Sequence, residues 1–174
     1  MPPPATTIYL GLGSNLGDRA RFISAAVAEL EKREVLRHVH LSPLYETDAV
    51  ADEPQPSYLN AVVRGDTALA PEALLAACLQ IEGALGRVRP AGRGKAPRTI
   101  DIDVLLYGAT VVDSPSLQVP HPAMLVRSFV LAPLRDVAEV GLRHPVSGAP
   151  LASADALSSS PGSPPRLYAA PTRG

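Results

Sequence analysis

The chain has 174 residues, of which 46% are hydrophobic and 19% charged, with a formal net charge of −1. This length fits one domain, and the balanced charge argues against a general nucleic-acid or membrane-surface binder, since both usually carry a large basic excess. No apolar run approaches the roughly 20 residues that cross a bilayer. The start MPPPATT lacks the features of a secretory signal, and one cysteine cannot form an internal disulfide. We therefore expect a single cytoplasmic domain with no membrane partner.

The first half of the chain predicts a strand, a helix and two further strands. TIYLGLGSN, residues 7–15, alternates apolar residues and ends in a Gly, Ser and Asn turn. A helix is expected from Asp18 to about Arg33, because apolar residues recur at helical spacing after a capping aspartate. VLRHVHLSPLYET predicts a strand that is broken or bulged at Pro43, and YLNAVVRGDT predicts its neighbour.

The second half predicts a helix, a strand and a further helical segment. APEALLAACLQIEGALG has a proline near its start, Glu72 in the first turn and Gly86 at its end, as a helix requires. Cys78 lies on the apolar stripe of this helix and is most simply a core residue. PRTIDIDVLLYG predicts the next strand, and HPAMLVRSFVLAPLRDVA is expected to be largely helical.

The predicted order β-α-β-β-α-β is typical of an α+β, ferredoxin-like domain. In this fold an antiparallel sheet has two helices packed on one face, and here an extra C-terminal helical segment follows. We expect residues 1–152 to form this single domain. Residues 153–174 are rich in Ala, Ser and Pro, so we expect a flexible tail.

Two carboxylates in the strand PRTIDIDVLLYG indicate a cation site. Because side chains alternate along a strand, Asp101 and Asp103 share one face, about 6 to 7 Å apart along the strand. Magnesium fits this arrangement, since it takes one or two carboxylates and completes its coordination with water and substrate phosphates. The alternative is a solvated strand face.

A basic cluster precedes the acidic pair. Between residues 87 and 98 the chain has no acidic residue, and its cations are Arg87, Arg89, Arg93, Lys95 and Arg98. Arginine forks match phosphate oxygens, so the cluster suits a polyphosphate. The alternative is an ordinary solvated loop.

Side chains suited to a flat ligand lie elsewhere in the chain. Tyr58 and Asn60 share a strand face and could stack on a heterocycle and read its edge, although Tyr58 could equally belong to the core. His121 lies between two prolines and could face a phosphate or stabilise a turn. Arg127 and Phe129 follow it in the helical segment.

Two common nucleotide motifs are absent. GLGSNLG has Leu16 where the dinucleotide fingerprint needs glycine, and GRGKA lacks the spacing and the Ser or Thr of a Walker loop. The glycines at 11, 13 and 17 are therefore expected either in a tight turn and helix entry or in a loop beside a ligand.

Seven segments together resemble a known enzyme family, the 6-hydroxymethyl-7,8-dihydropterin pyrophosphokinases of folate biosynthesis. They are GLGSNLGDR, YET, QPSYLNAVV, GRVRP, PRTIDIDVLLYG, VPHPAM and RSFVLAPL, and the resemblance runs from about Ile8 to Pro145. It implies a ferredoxin-like core, two magnesium ions, and transfer of pyrophosphate from ATP to the pterin hydroxymethyl group with release of AMP. The implied partners are these two small molecules alone, without nucleic acid, and the expected state is a monomer.

The resemblance also implies roles for particular residues. Asp101 and Asp103 would hold the magnesium ions and act in catalysis with Arg87 and Arg98. The implied pterin contacts are Thr47, Val50, Tyr58, Asn60 and Phe129. The implied ATP contacts are Glu82, Arg87, Arg89, Arg98, Val104, His121 and Arg127. This chain departs from the family at AGRGKAPR, which has no tryptophan, and at TDAVADEP, which lacks adjacent prolines after Thr47.

Two other functions remain as alternatives from the sequence. Ferredoxin-like sheets can bind RNA, but the acidic pair would repel a phosphate backbone unless it held metal, and the aromatic RNP-type motif is absent. A related kinase would transfer one phosphoryl group and release ADP.

Overall fold

The computed structural model describes residues 4–49, 54–88, 97–152 and 164–168. Its strands are β1 Thr6–Ser14, β2 Arg37–Leu41, β3 Tyr45–Thr47, β4 Tyr58–Thr67, β5 Asp101–Tyr107, β6 Val112–Asp113, β7 Gln118–Val119 and β8 Arg166–Leu167. Its α-helices are α1 Arg19–Lys32, α2 Pro71–Ala84 and α3 Ser128–Val137, and a 3₁₀ turn spans Met124–Val126. The elements follow the predicted β-α-β-β-α-β order, with α3 as the additional helix.

The main sheet is antiparallel and confirms the ferredoxin-like prediction. Its strand order is β5-β1-β4-β3-β8, and β2 also pairs with β4. The predicted break near Pro43 separates β2 from β3. There the backbone N–H of Ser42 donates to the Val62 carbonyl at 2.9 Å, while its hydroxyl accepts from the Val62 N–H at 2.9 Å. Ser42 therefore satisfies the ladder groups at the point where the proline interrupts pairing.

The ends of the two predicted helices match their sequence signals. The Asp18 carboxylate accepts from the backbone N–H of Arg21 at 3.2 Å and caps α1. Proline begins α2, and Gly86 just beyond its end has φ +87°, a left-handed conformation that favours glycine. Among the described residues, no helix is long and apolar enough to span a membrane.

Helices cover both faces of the sheet. On one face, buried residues of α1 and α2 such as Leu30 and Ile81 pack in the same core as Leu10 and Val104. On the other face α3 packs its own core, in which Leu134 joins Tyr9, Val62 and Leu105. The sheet is thus the middle of three layers, and the second face has space beside α3 for a site. Burial in the first core raises the pKa of the Cys78 thiol to about 12 and supports its structural role.

The prediction of a flexible tail is wrong for residues 164–168. Within this range β8 pairs antiparallel with β3, and the Tyr168 N–H donates to the Leu44 carbonyl at 2.9 Å. The physical reason is that β3 would otherwise present an unpaired strand edge, which readily accepts another strand. The remaining tail residues lie outside the described ranges.

Candidate active site

The floor of the site is formed by the three strands β5, β1 and β4. In β1, Gly13 lies between Asp101 of β5 and Asn60 of β4, and Gly11 lies between Asp103 and Val62. Because glycine has no side chain, the sheet surface between the carboxylates and the amide stays open. A Cβ at Gly13 would lie 3.4 Å from Oδ1 of Asn60. Gly11 and Gly13 therefore belong to a strand, and the prediction of a turn or loop is wrong for both.

A cavity of about 360 Å³ opens above this floor. It is closed on one side by the start of α3 and on another by β3. The sequence-predicted residues that line it are Thr47, Tyr58, Asn60, Arg98, Asp101, Asp103, Arg127 and Phe129. Residues more than 80 positions apart in the chain thus face one space.

The acidic pair lies at one end of the cavity. Asp101 Oδ1 accepts a hydrogen bond from Arg87 at 2.7 Å, and its Oδ2 lies 3.3 Å from Arg98 Nη1. Asp103 has no hydrogen bond or ion pair among the described residues. Burial, together with the charge of Asp101, raises the pKa of Asp103 to about 7. A carboxylate that lacks a partner beside a second carboxylate fits the donor set that Mg²⁺ prefers.

Asp103→Asn is expected to stabilise the metal-free protein at alkaline pH. The folded-state pKa of Asp103, about 7, exceeds its ordinary value of 3.8, so the folded state binds more protons between these limits. The free energy of unfolding therefore falls as pH rises through this window, and asparagine removes that loss, which is on the order of 4 kcal/mol at pH 8 for a pKa raised from 3.8 to about 7. Thermal unfolding with EDTA at pH 4 and pH 8 checks this; an equal gain at both pH values contradicts it.

A buried network of charged side chains, formed by Glu82, Arg87 and Asp101, holds the acidic pair in place. The Arg87 guanidinium bonds to both Glu82 of α2 and Asp101, and the side chains of Glu82 and Arg87 are only 3% and 8% exposed. Glu82 also accepts the backbone N–H of Ile102 at 3.2 Å. These contacts tie the end of α2 to the strand that carries the carboxylates. Glu82 and Arg87 do not themselves line the cavity.

His121 is held in a defined tautomer beside the site. Its ring Nδ1 accepts from the Ala123 N–H at 3.1 Å, and its backbone N–H donates to the Leu105 carbonyl at 3.0 Å. Burial and the charge of Arg127 lower its pKa. A neutral ring with Nδ1 as acceptor carries its proton on Nε2. His121 therefore stabilises the turn and keeps one N–H donor, although it does not line the cavity.

The aromatic end of the cavity carries ring faces and uncharged polar groups, and Arg127 lies between this end and the acidic pair. Tyr58 and the Phe129 ring both line it, and the Arg127 guanidinium lies 5.6 Å from the centroid of Phe129. Asn60, which is buried, donates to the Thr47 hydroxyl at 2.8 Å. Burial raises the pKa of Tyr58, so its phenol stays protonated at neutral pH. This end combines ring faces with fixed polar groups.

Besides Glu82, Arg87 and His121, one more predicted contact among the described residues does not line the cavity, and two further ones fall outside those residues. The Val104 side chain is buried in the core beneath α1 and α2 and does not line this cavity, so its contact with ATP stays a prediction. The reason is strand alternation, since Val104 faces away from Asp103. Val50 and Arg89 lie outside the described residues, as do Arg93 and Lys95.

Other cavity residues were not predicted. The missed lining residues include Asp48, Gln55, Val62, Leu105 and Val126. Val62 and Leu105 could have been found by continuing the two-residue period from Asn60 and from Asp103. No such signal marks Gln55, whose side chain accepts from Asn15 at 3.2 Å across 40 positions of sequence.

Asn15 links the two ends of the site. Its buried side chain donates to Gln55 and to the Pro56 carbonyl at 3.3 Å, and its Oδ1 accepts the Arg98 N–H at 2.9 Å. The Asn15 backbone N–H also donates to the Arg98 carbonyl at 3.1 Å. The start of the acidic strand is thereby fixed relative to the segment that precedes Tyr58.

The fold and cavity define a class, a ferredoxin-like domain with a small-molecule site that is charged at one end and aromatic at the other. A family model for 7,8-dihydro-6-hydroxymethylpterin-pyrophosphokinase (HPPK) matches residues 9–139. The chain belongs to this family, which confirms the resemblance found in the sequence.

Relatives and solved structures agree with this assignment. The chain is 47% identical over 133 residues to 2-amino-4-hydroxy-6-hydroxymethyldihydropteridine pyrophosphokinase of Methylorubrum extorquens, covering 76% of this chain and 83% of that protein. It is 42% identical over 146 residues to folic acid synthesis protein fol1 of Pneumocystis carinii, covering 84% of this chain but only 19% of that protein. A crystal structure of Plasmodium falciparum HPPK-DHPS with pterin and p-hydroxybenzoate shares the fold, with a TM-score of 0.65, 15% identity, and coverage of 86% of this chain and 43% of that one.

Proposed function

We propose that this chain transfers pyrophosphate from ATP to the hydroxymethyl group of 6-hydroxymethyl-7,8-dihydropterin and releases AMP, a step of folate biosynthesis. The observation that carries the proposal is the shared floor, on which β1 glycines separate the acidic pair from the Tyr58 and Asn60 side chains. Membership of the family supports the choice of substrates, because a relative matched over 83% of its length bears the name of this enzyme.

The aromatic end of the cavity would hold the pterin. Tyr58 and Phe129 offer faces for the flat ring, while Asn60 and Thr47 supply hydrogen-bonding groups for its polar edge. The proposed contact at Val50 belongs to the same end. Recognition of a flat heterocycle needs both features, since stacking alone does not select the ring's substituents.

The charged end would hold the triphosphate. Asp101 and Asp103 would bind two magnesium ions, which neutralise phosphate charge and polarise the phosphorus under attack. Arg98 and Arg127 line the same cavity and can face phosphate oxygens, while Arg87 orients Asp101. The further proposed ATP contacts are Glu82, Arg89 and His121.

The reaction needs no covalent intermediate on the protein. The pterin hydroxyl oxygen forms a bond to the β-phosphorus and gives up its proton to an aspartate carboxylate or to water. In line with this attack, the bond from the β-phosphorus to the oxygen shared with the α-phosphate breaks, and AMP leaves with that oxygen. The side chains contribute by positioning both substrates on one rigid sheet and by neutralising charge. The cytoplasmic location and the monomeric state stay predictions.

The test is a product analysis with purified protein, magnesium, ATP and 6-hydroxymethyl-7,8-dihydropterin. We expect AMP and the pterin diphosphate in equal amounts, only when all components are present, and no turnover with excess EDTA. Release of ADP would show transfer of a single phosphoryl group and contradict the proposal. Salt-sensitive RNA binding without magnesium-dependent ATP binding would support the nucleic-acid alternative.

Phe129→Ala is expected to weaken pterin binding by about 10- to 100-fold, because loss of one stacking face costs roughly 1–3 kcal/mol. ATP affinity should fall much less, because Phe129 has no charged or hydrogen-bonding group for phosphate and is linked to a proposed ATP contact through the Arg127 guanidinium, 5.6 Å from its ring centroid. Calorimetric titration of each ligand separately gives both values. Phe22→Ala is the matched control, because Phe22 on α1 does not line the cavity. Equal losses for pterin and ATP would show that the ring has no selective role.

A further inference from the structure

The strand β8 lies outside the part of the chain that matches the family model, yet it touches the wall of the cavity. The family match ends at residue 139, whereas β8 is Arg166–Leu167. Its pairing partner β3 carries Thr47, and the next residue, Asp48, also lines the cavity. An element from beyond the family domain therefore forms the edge of the sheet on the aromatic side of the site.

Side chains of the segment 164–168 reinforce this pairing. The Arg166 guanidinium lies 3.3 Å from Asp48 Oδ1 and 4.0 Å from Glu46 Oε1. The Tyr168 ring packs against the core beneath α1, with the Arg19 guanidinium 5.7 Å from its centroid. Arg166 and Asp48 are 52% and 66% exposed, so their ion pair alone contributes little. The backbone pairing and Tyr168 therefore carry most of the attachment.

Arg19 connects this attachment to two of the three chain segments that supply the proposed pterin contacts. Its Nη1 lies 2.7 Å from Glu46 Oε2 and donates to the Ser57 carbonyl at 2.9 Å. Glu46 immediately precedes Thr47, and Ser57 immediately precedes Tyr58. One guanidinium of α1 thus holds the backbone next to two cavity residues, and Tyr168 packs beside that guanidinium.

We propose that Arg19 and the docked segment 164–168 are positioning elements that hold the pterin wall of the cavity in its binding geometry. The inference rests on the proposed function, because it assigns the ligand of that wall. β3 has only three residues, so pairing on one side alone leaves it weakly constrained. β8 pairs with the outer edge of β3, and Arg19 contacts Glu46 within β3. The wall is therefore ordered before the substrate binds, and binding does not have to supply the conformational entropy of ordering it.

Two variants of the full-length chain test the inference. Tyr168→Pro removes the N–H that donates to Leu44, and Arg19→Ala removes the link between Glu46 and Ser57. Each is expected to raise the pterin dissociation constant about fivefold or more while leaving ATP affinity unchanged. Arg19→Lys should restore part of the pterin affinity, because it keeps the charge. Arg37→Ala is the control, since the Arg37 side chain on β2 is 72% exposed and, within the described part of the chain, forms an ion pair only with nearby Glu34 at 3.5 Å.

Amide hydrogen exchange separates positioning from a merely structural role. If the inference holds, Tyr168→Pro speeds exchange in residues 44–47 as pterin affinity falls. Lower melting temperature with unchanged pterin affinity would overturn it, as would equal losses for pterin and ATP. Failure of the wild-type protein to turn over both substrates would instead count against the proposed function. If the wild type turns over both substrates normally, but Tyr168→Pro and Arg19→Ala bind pterin as tightly as Arg37→Ala does, the positioning role is rejected and the proposed function stands.

Discussion

Asp103→Ala is expected to lower kcat by about a thousandfold or more while the protein remains folded. Asp103 lines the cavity and has no hydrogen-bond or ion-pair partner among the described residues, so its removal breaks no structural contact of that kind. It does remove one of the two carboxylates that would hold magnesium against the triphosphate. Charge stabilisation by a positioned group or metal is worth several kcal/mol in the transition state, which corresponds to roughly this loss.

The measurement is AMP release under saturating substrates, with circular dichroism and thermal unfolding to establish folding. Asp113→Ala is the matched control, because Asp113 is an exposed aspartate on β6 whose side chain bonds, among the described residues, only to Gln118, at 3.3 Å. We expect this control to retain normal turnover. Activity of Asp103→Ala near the wild-type rate at ordinary magnesium concentration would refute the metal-binding role.

Arg87→Ala is expected to destabilise the fold by about 3–5 kcal/mol, since breaking a buried ion pair by removing one partner costs roughly this much. The carboxylate that loses this partner belongs to Glu82, whose side chain is 3% exposed. For a chain of this size the loss corresponds to a fall in melting temperature of about 10 °C. Turnover should fall as well, because Arg87 also bonds to Asp101 at 2.7 Å.

Thermal unfolding at neutral pH measures the first effect, and a second substitution identifies its cause. Glu82→Gln in the Arg87→Ala background removes the buried charge but keeps an oxygen for the Ile102 N–H. It should recover much of the stability without restoring turnover. Arg33→Ala, which breaks an exposed pair with Glu29 at 2.7 Å, is the control and should cost about 1 kcal/mol or less. A loss no larger than this in Arg87→Ala would contradict the buried network.

Much of the fold could be read from local patterns. Capping by Asp18, proline at the start of α2 and Gly86 beyond its end act within a few residues, so the two helices were predicted with bounds close to those observed. The interruption at Pro43 was also predictable, because a proline has no N–H to donate to the ladder. The placement of α3 on the opposite face of the sheet was not predictable, because the apolar residues of an amphipathic helix do not show which face of the sheet they will pack against.

The candidate site divides in the same way. The sequence by itself determined the chemical types and their faces, because strand alternation puts Asp101 with Asp103, and Tyr58 with Asn60. The sequence also predicted the family, because seven of its segments resemble those of the family; the amino-acid composition alone would not have identified it. These are properties of residues close together in the chain.

Only the tertiary structure decided how those groups meet. Strand register sets Gly11 and Gly13 between the acidic and amide side chains, which turns two glycines expected in a turn or loop into the floor of a cavity. It also joins Arg87 to Glu82 and Asp101, and brings β8 to the edge of β3. The physical reason is that hydrogen-bond register and helix packing are set by contacts between distant parts of the chain, and no local spacing encodes them.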